Sequence, residues 1–70
     1  METLVNKELS LTAKVDGDIS YNKDGSINYV WNVKTCEVYD EANNFLFDVT
    51  QSNDSPAHVA KFLKDFVKVS

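Results

Sequence analysis

The fold of this chain is decided by residues 9–39, which read LSLTAKVDGDISYNKDGSINYVWNVKTCEVY. From Leu9 to Tyr21, apolar residues alternate with polar ones, as in a strand with one buried face and one solvated face. The next four residues, Asn22-Lys23-Asp24-Gly25, predict a turn, because Asn and Asp favour a type I turn and glycine accepts the left-handed conformation that follows it. The segment therefore predicts a β-hairpin.

The hairpin register follows from placing Asn22 opposite Ser26. This sets apolar residues against each other or against glycine in the pairs Tyr21–Ile27, Ile19–Tyr29, Gly17–Trp31 and Val15–Val33. We interpret residues 9–39 as one long hairpin in which the Trp31 ring covers the bare backbone of Gly17. The alternative is a second tight turn at Asp16-Gly17, which would give a shorter meander.

The rest of the chain predicts one more strand and one helix. Residues 45–50 predict a strand antiparallel to the second, with Phe45, Phe47 and Val49 facing inward. Ser55 and Pro56 are typical of a helix start, and apolar residues at helical spacing extend the expected helix over 56–68. Residues 1–8 show no period and are expected to fray. We therefore predict a single α+β domain over 1–70: a three-stranded antiparallel sheet covered on one face by the helix, in the order βββα.

The composition restricts the classes of function. The chain has 70 residues and a formal net charge of −4, and all seven of its basic residues are lysines. The absence of arginine disfavours a nucleic-acid partner, and the negative charge disfavours an anionic membrane surface. With Cys36 as its only cysteine the chain forms no internal disulfide, and no apolar run has the length of a signal peptide or a membrane span. We expect a cytoplasmic protein.

The sequence contains no recognisable catalytic or metal-binding constellation. It has one histidine, His58, expected to be solvated at the helix start, and Cys36, expected to be a small apolar strand residue. Asp16 and Asp18 begin a spacing that resembles a calcium loop, but Tyr21 stands where that loop needs glycine. We expect no cofactor, no metal and no enzymatic activity.

Charged residues are divided unevenly along the chain. Residues 1–55 carry four lysines and ten acidic residues, a net charge of −6, whereas residues 56–70 carry three lysines and one acidic residue, a net charge of +2. An acidic sheet surface suits a basic partner surface, and the lysines suit the outer face of the helix. The charged candidates for partner binding are Asp16, Asp18, Asp40, Glu41, Lys61, Lys64 and Lys68.

An apolar patch is the other candidate for a partner surface. On the sheet face that the helix leaves uncovered, the predicted register places Val30, Cys36, Val38 and Leu46, and it centres the patch on Val38 and Leu46. A β-bulge near Lys34-Thr35 is the alternative. It would turn Cys36 and Val38 into the core, and it would move Glu37 off the apolar face.

These features favour a small non-catalytic protein-binding module. Its size and charge are typical of phage and mobile-element accessory proteins that bind and inhibit a host protein, although no motif carries that comparison. One alternative is a nucleic-acid-binding domain that uses the sheet or the lysine face of the helix, with Tyr29, Trp31 and Tyr39 stacking on bases if they are exposed. The other is a structural subunit that self-associates, so we expect a monomer or a homodimer.

Overall fold

A computed structural model describes residues 1–69. The strands are β1 (Glu2–Asn6), β2 (Leu11–Tyr21), β3 (Ile27–Tyr39), β4 (Phe45–Asp48) and β5 (Val67–Lys68), and the helix is α1 (Pro56–Phe62). Two 3-10 turns, Val49–Gln51 and Leu63–Asp65, flank the helix. The strands form one antiparallel sheet in the order β4-β3-β2-β1-β5. The α+β class matches the prediction, but the predicted three-stranded sheet is wrong, because the sheet has five strands.

The first missed strand lies at the N-terminus, where fraying was expected. β1 pairs with β2, and Leu4 opposite Ala13 is fully buried. Asn6 is also buried, and its Oδ1 accepts a hydrogen bond from the Leu9 amide at 3.0 Å. Because only Leu4 and Asn6 are buried in this five-residue strand, its sequence shows too little alternation to reveal it.

The second missed strand follows a helix that is shorter than predicted. α1 ends at Phe62, and Phe66 is already extended, with φ −94° and ψ 150°. β5 then pairs with β1 on one side and bridges Ser26 on the other, where the Lys68 amide donates to the Gly25 carbonyl at 2.9 Å. The sheet therefore curls until its last strand meets the β2–β3 turn.

The β2–β3 hairpin is a single long hairpin with the expected turn. The Asn22 amide donates to the Ser26 carbonyl at 2.8 Å, and Gly25 has a φ of +89°. Tyr21 pairs with Ile27 as predicted. Beyond that pair the register shifts, so that Ile19 pairs with Val30 instead of Tyr29.

A second irregularity lies opposite Gly17. Asp16 pairs with Thr35 and Asp18 with Trp31, so the three residues 32–34 bulge opposite one glycine. Asn32 accommodates the bulge with a φ of 55°, and a Cβ on Gly17 would lie 2.8 Å from the Val33 Cα. Trp31 therefore does not cover Gly17, contrary to the prediction.

The one-residue shift beyond the Tyr21–Ile27 pair, which leaves Asn28 without a partner on β2, decides which β3 side chains enter the core; the irregularity at residues 32–34 adds two residues and leaves the faces unchanged. Val30, Cys36 and Val38 are buried, so the predicted apolar patch centred on Val38 is wrong. The alternative correctly turned Cys36 and Val38 into the core, but the bulge that does so lies at Asn28 and not near Lys34-Thr35. Conversely, Tyr29 and Trp31, expected in the core, lie on the sheet face opposite the helix. We call that face the uncovered face. The buried apolar residues are Leu4, Ala13, Val15, Val30, Cys36, Val38, Val49, Val59, Leu63 and Phe66.

The helix begins as its sequence predicts and covers the other face of the sheet. The Ser55 hydroxyl accepts a hydrogen bond from the His58 amide at 3.2 Å, and Pro56 stands at the first position, where no backbone donor is needed. Val59 and Leu63 are fully buried against the sheet. In the strand order of the sheet, β4 lies at one edge, with no strand beyond it among residues 1–69.

Candidate functional site

Three consecutive large apolar side chains are exposed on the open edge strand β4. Phe45 is 56% exposed, Leu46 45% and Phe47 43%. The sequence predicted that Phe45 and Phe47 face inward; this is wrong for Phe45, whereas Phe47 lies on the helix side of the sheet but is not buried. Because Tyr39 pairs with Phe45 and Val38 with Phe47, Leu46 is an extra residue in the β3–β4 ladder, and the two phenylalanines lie on opposite faces of the sheet.

Each phenylalanine is held by one aromatic neighbour. The Phe45 ring meets the Tyr39 ring on the uncovered face, edge to face, with centroids 5.7 Å apart. The Phe47 ring meets Phe62 of the helix in the same geometry, also at 5.7 Å. These contacts fix the two rings in position while leaving roughly half of each side chain open to solvent.

An acidic groove runs along the same edge. It has a volume of about 590 Å³ and is lined by Glu37, Phe45, Phe47, Asp48, Gln51 and Ser52. Glu37 pairs directly with Asp48 across the ladder, so the two carboxylates lie on the same side. Glu37 also accepts a hydrogen bond from the Tyr39 hydroxyl at 3.1 Å. None of the six described residues that line this groove is basic.

Asp48 fixes the end of β4. Its Oδ1 accepts hydrogen bonds from the Cys36 amide at 3.0 Å, the Thr50 amide at 2.9 Å and the Thr50 hydroxyl at 2.7 Å. Burial acts to raise the pKa of Asp48, but these hydrogen bonds outweigh it and the pKa lies below its ordinary value. Asp48 therefore carries its negative charge at neutral pH.

Asp40 fixes the other end of β4. Its carboxylate accepts hydrogen bonds from the backbone amides of Ala42 and Asn44, each at 2.9 Å. The amides and side chain of this loop hold the pKa of Asp40 below its ordinary value, with the Asn44 amide contributing most. The neighbouring Glu41 is exposed. Asp40 thus has a structural role in the loop and also adds negative charge beside β4.

A second, smaller aromatic surface lies at the far end of the uncovered face. Tyr29 is 55% exposed and Trp31 40%, with ring centroids 5.1 Å apart. Asp18 pairs with Trp31 and accepts a hydrogen bond from the Asn32 amide group at 3.1 Å. Asp16 and Asp18 both line the depression at the bulge, together with Lys34. Carboxylates thus accompany both exposed aromatic surfaces.

The remaining predicted site residues are not brought together. Val30 and Val38 lie in the core. Lys61 lies in α1, Lys64 in the following 3-10 turn and Lys68 in β5, so the expected lysine face of one long helix is wrong. The Lys68 ammonium instead lies 5.0 Å from the centre of the Tyr21 ring. Of the four residues in the predicted apolar patch, only Leu46 is exposed, and it belongs to the β4 surface.

Sequence reasoning missed Phe45, Phe47, Tyr29 and Trp31 as surface residues. Simple alternation in β4 places Leu46 on one face and both phenylalanines on the other; the extra residue at Leu46, which moves Phe45 to the uncovered face, has no signal in the sequence. For Tyr29 and Trp31 the alternation pointed the wrong way, since the one-residue bulge at Asn28 reverses it.

Cys36, the single cysteine of the chain, is buried. Burial, followed by the negative charge of Asp48, raises the pKa of the Cys36 thiol to about 12, so Cys36 stays protonated. Among residues 1–69, no three histidine, cysteine or carboxylate side chains converge in an arrangement that could hold a metal ion. No helix in that range has the length and apolar character needed to cross a membrane.

Comparisons with models of known protein families, with curated proteins and with solved structures find nothing that matches this chain. The interpretation of the site therefore depends on its geometry and its chemistry.

Proposed function

We propose that this chain is a small non-catalytic module that binds another protein through β4 and the acidic groove beside it. The observation that carries the proposal is the exposure of Phe45, Leu46 and Phe47 on the open edge of the sheet. Exposed apolar patches with a polar rim are typical of protein–protein interfaces, and phenylalanine is enriched in them.

The anchored side chains of β4 support a binding role for this patch. Tyr39 and Phe62 hold the two phenylalanine rings, and hydrogen bonds to Asp40 and Asp48 fix the chain at both ends of β4. A preorganised surface loses little conformational entropy when it binds. Anchored aromatic side chains are also the usual source of most of the binding energy at an interface.

The charges around β4 favour a basic partner. Glu37 and Asp48 line the groove, and Asp40 and Glu41 lie in the loop that precedes the strand. Complementary charge speeds association and selects among partners more than it increases affinity. An inhibitor of a basic host protein, of the kind carried by phages and mobile elements, is the form of this function that agrees with the size and charge of the chain.

The proposal includes a cytoplasmic location, where the buried Cys36 would encounter a reducing environment.

A nucleic-acid-binding domain is the second candidate, and the exposure of Tyr29 and Trp31 favours it. Two neighbouring aromatic rings on a sheet can stack on bases. The surrounding carboxylates, Asp16 and Asp18, oppose it because they repel a phosphate backbone. Self-association through β4 is disfavoured for a related reason, since two copies would bring like charges together.

Affinity capture with two matched leucine variants tests the proposal. The tagged chain, Leu46→Asp and Leu9→Asp are each incubated with bacterial lysate, with and without nuclease, and bound proteins are identified by mass spectrometry. Leu9 is a suitable control because it is 62% exposed and lies in the β1–β2 connection, outside the groove.

We expect one stoichiometric protein that survives nuclease, binds the Leu9→Asp variant and is lost with Leu46→Asp. Loss of every partner on nuclease treatment would favour the nucleic-acid alternative. A partner retained equally by both variants would remove β4 from the binding site.

A further inference from the structure

We infer that β4 binds an extended segment of the partner as a sixth strand of the sheet, and that this segment alternates basic and apolar residues. The inference rests on the proposed function and specifies how the same site works. It follows from the position of β4 as an open edge and from the different chemistry on its two sides.

The open edge supplies the backbone part of such an interaction. Beyond β4 no other strand follows in residues 1–69, and an edge strand directs N–H and C=O groups outward at every second residue. Natural edges are protected by lysine, proline, a cover, a bulge or a short length. β4 is short and has an extra residue at Leu46, but Phe45, Leu46, Phe47 and Asp48 include no lysine and no proline, and no strand covers their outer side among residues 1–69. The outer backbone groups of β4 can therefore pair with a short added strand.

The two sides of the edge determine which side chains the added strand should carry. On the uncovered face lie the carboxylates of Glu37 and Asp48, together with the Phe45 ring. A lysine or arginine there would place its charge near the carboxylates and its aliphatic stem across the ring. On the helix side lie Phe47 and Phe62, which favour a valine, isoleucine or leucine. Because successive side chains of a strand alternate between faces, the partner segment should alternate in the same way.

A second copy of this chain does not meet these requirements. Pairing β4 with itself would bring Glu37 and Asp48 of both copies to one interface, in a chain whose net charge is −4. Like charges facing each other destabilise an interface. The sequence Phe-Leu-Phe-Asp also offers no basic residue to the groove.

The test is an NMR titration of the full, ¹⁵N-labelled chain with designed peptides. The probe is a capped octapeptide of alternating lysine and valine. One control peptide has four lysines followed by four valines, which keeps the charge and composition but removes the alternation. A second control alternates glutamate and valine. A third carries N-methyl groups at every second residue of the probe, on the edge that would pair with β4.

We expect the alternating lysine–valine peptide to shift the amide signals of residues 44–48 and of Phe62, with at least tenfold weaker binding of the three control peptides. Glu37→Gln should weaken the probe about two- to fivefold, as for a partly exposed ion pair. Glu8→Gln, which removes one exposed charge in the β1–β2 connection, should leave its affinity unchanged.

Three results would overturn strand addition: equal binding of the block and alternating peptides, shifts centred on residues 29–31, or no binding of the probe. Growth in particle size of the free chain with concentration, lost in Leu46→Asp, would show that a second copy occupies the edge instead. If strand addition fails while a captured protein still depends on Leu46, protein binding stands without this mode. If capture finds no partner that depends on Leu46, the proposed function itself fails.

Discussion

Replacing Gly17 with alanine tests the irregularity at residues 32–34, where the backbone of β3 passes close to that of β2. A Cβ at this position would lie 2.8 Å from the Val33 Cα, 3.1 Å from the Asn32 carbonyl oxygen and 3.2 Å from a Val33 methyl group. Ordinary carbon contacts need about 3.5–4.0 Å, so β2 and β3 would have to separate by roughly 1 Å at the bulge. The two closest atoms belong to the backbone, so a side-chain rotation cannot relieve the overlap.

The expected loss of stability follows from two opposing terms. Overpacking of a well-packed site destabilises by about 1–3 kcal/mol. Replacing glycine with alanine restricts the unfolded chain and returns about 0.4–1 kcal/mol. The net effect is a loss of between about 0 and about 2.6 kcal/mol. The middle of that range, about 1.3 kcal/mol, lowers Tm by roughly 5–10 °C in a domain of this size.

Thermal and urea unfolding, followed by circular dichroism, measure this change. Ser20→Ala is the matched control, because Ser20 lies on the uncovered face of the same strand opposite Tyr29 and its substitution should change the free energy of unfolding by less than about 0.5 kcal/mol. A raised Tm for Gly17→Ala would refute the close approach of Val33, since a gain in stability is expected only where the added methyl group faces open space.

Four further predictions concern the rest of the fold. Leu4→Ala should reduce the free energy of unfolding by roughly 2–5 kcal/mol while Thr3→Ala changes it little; equal effects in urea unfolding would show that β1 frays. The Cys36 thiol should not react with a disulfide reagent at pH 8 in the native chain, because burial raises its pKa to about 12, but should react in urea; rapid native labelling would contradict its burial. Stability should be constant from pH 7 to about pH 5 and fall as the pH drops through and below 3.8. The reason is that a carboxylate with a lowered folded pKa, such as Asp48, stabilises the fold only while ionised, and an Asp48→Asn variant that is just as sensitive to acid would exclude this carboxylate as a cause. Acrylamide should quench the fluorescence of Trp31, because its ring is partly exposed; a blue-shifted emission that acrylamide does not quench would place the ring in the core.

The turn of the β2–β3 hairpin was predictable because its chemistry is local. Asn22, Asp24 and Gly25 specify the turn through their own backbone preferences and hydrogen bonds. The same holds for the helix start, where Ser55 and Pro56 act within one turn. Features determined within a few residues can be read from the sequence without knowledge of the partners.

The bulges were not predictable from alternation alone. An extra residue in a strand reverses the face of every residue beyond it, and uninterrupted pairing gave an equally apolar match as far as Val33. The difficulty appeared only at Glu37, which would have pointed into the core. The polar Glu37 and the buried Cys36 and Val38 around it indicated a bulge, but not where it lies.

The site was only partly predictable for the same reason. Leu46, Asp40 and Glu41 were chosen as surface residues, and they lie in or beside β4. The groove itself depends on the β3–β4 pairing that joins Glu37 to Asp48, a contact between residues far apart in the sequence. β5 was hidden because Val59, Leu63 and Phe66 keep helical spacing past the end of the helix.

Hydrogen–deuterium exchange of the chain, alone and saturated with its captured protein partner, tests the central claim most directly. The account predicts new protection of the backbone amides of residues 44–48, with little change at residues 29–31 or 61–68. Protection confined to residues 29–31 or to 61–68, with residues 44–48 exchanging as in the free chain, would contradict it.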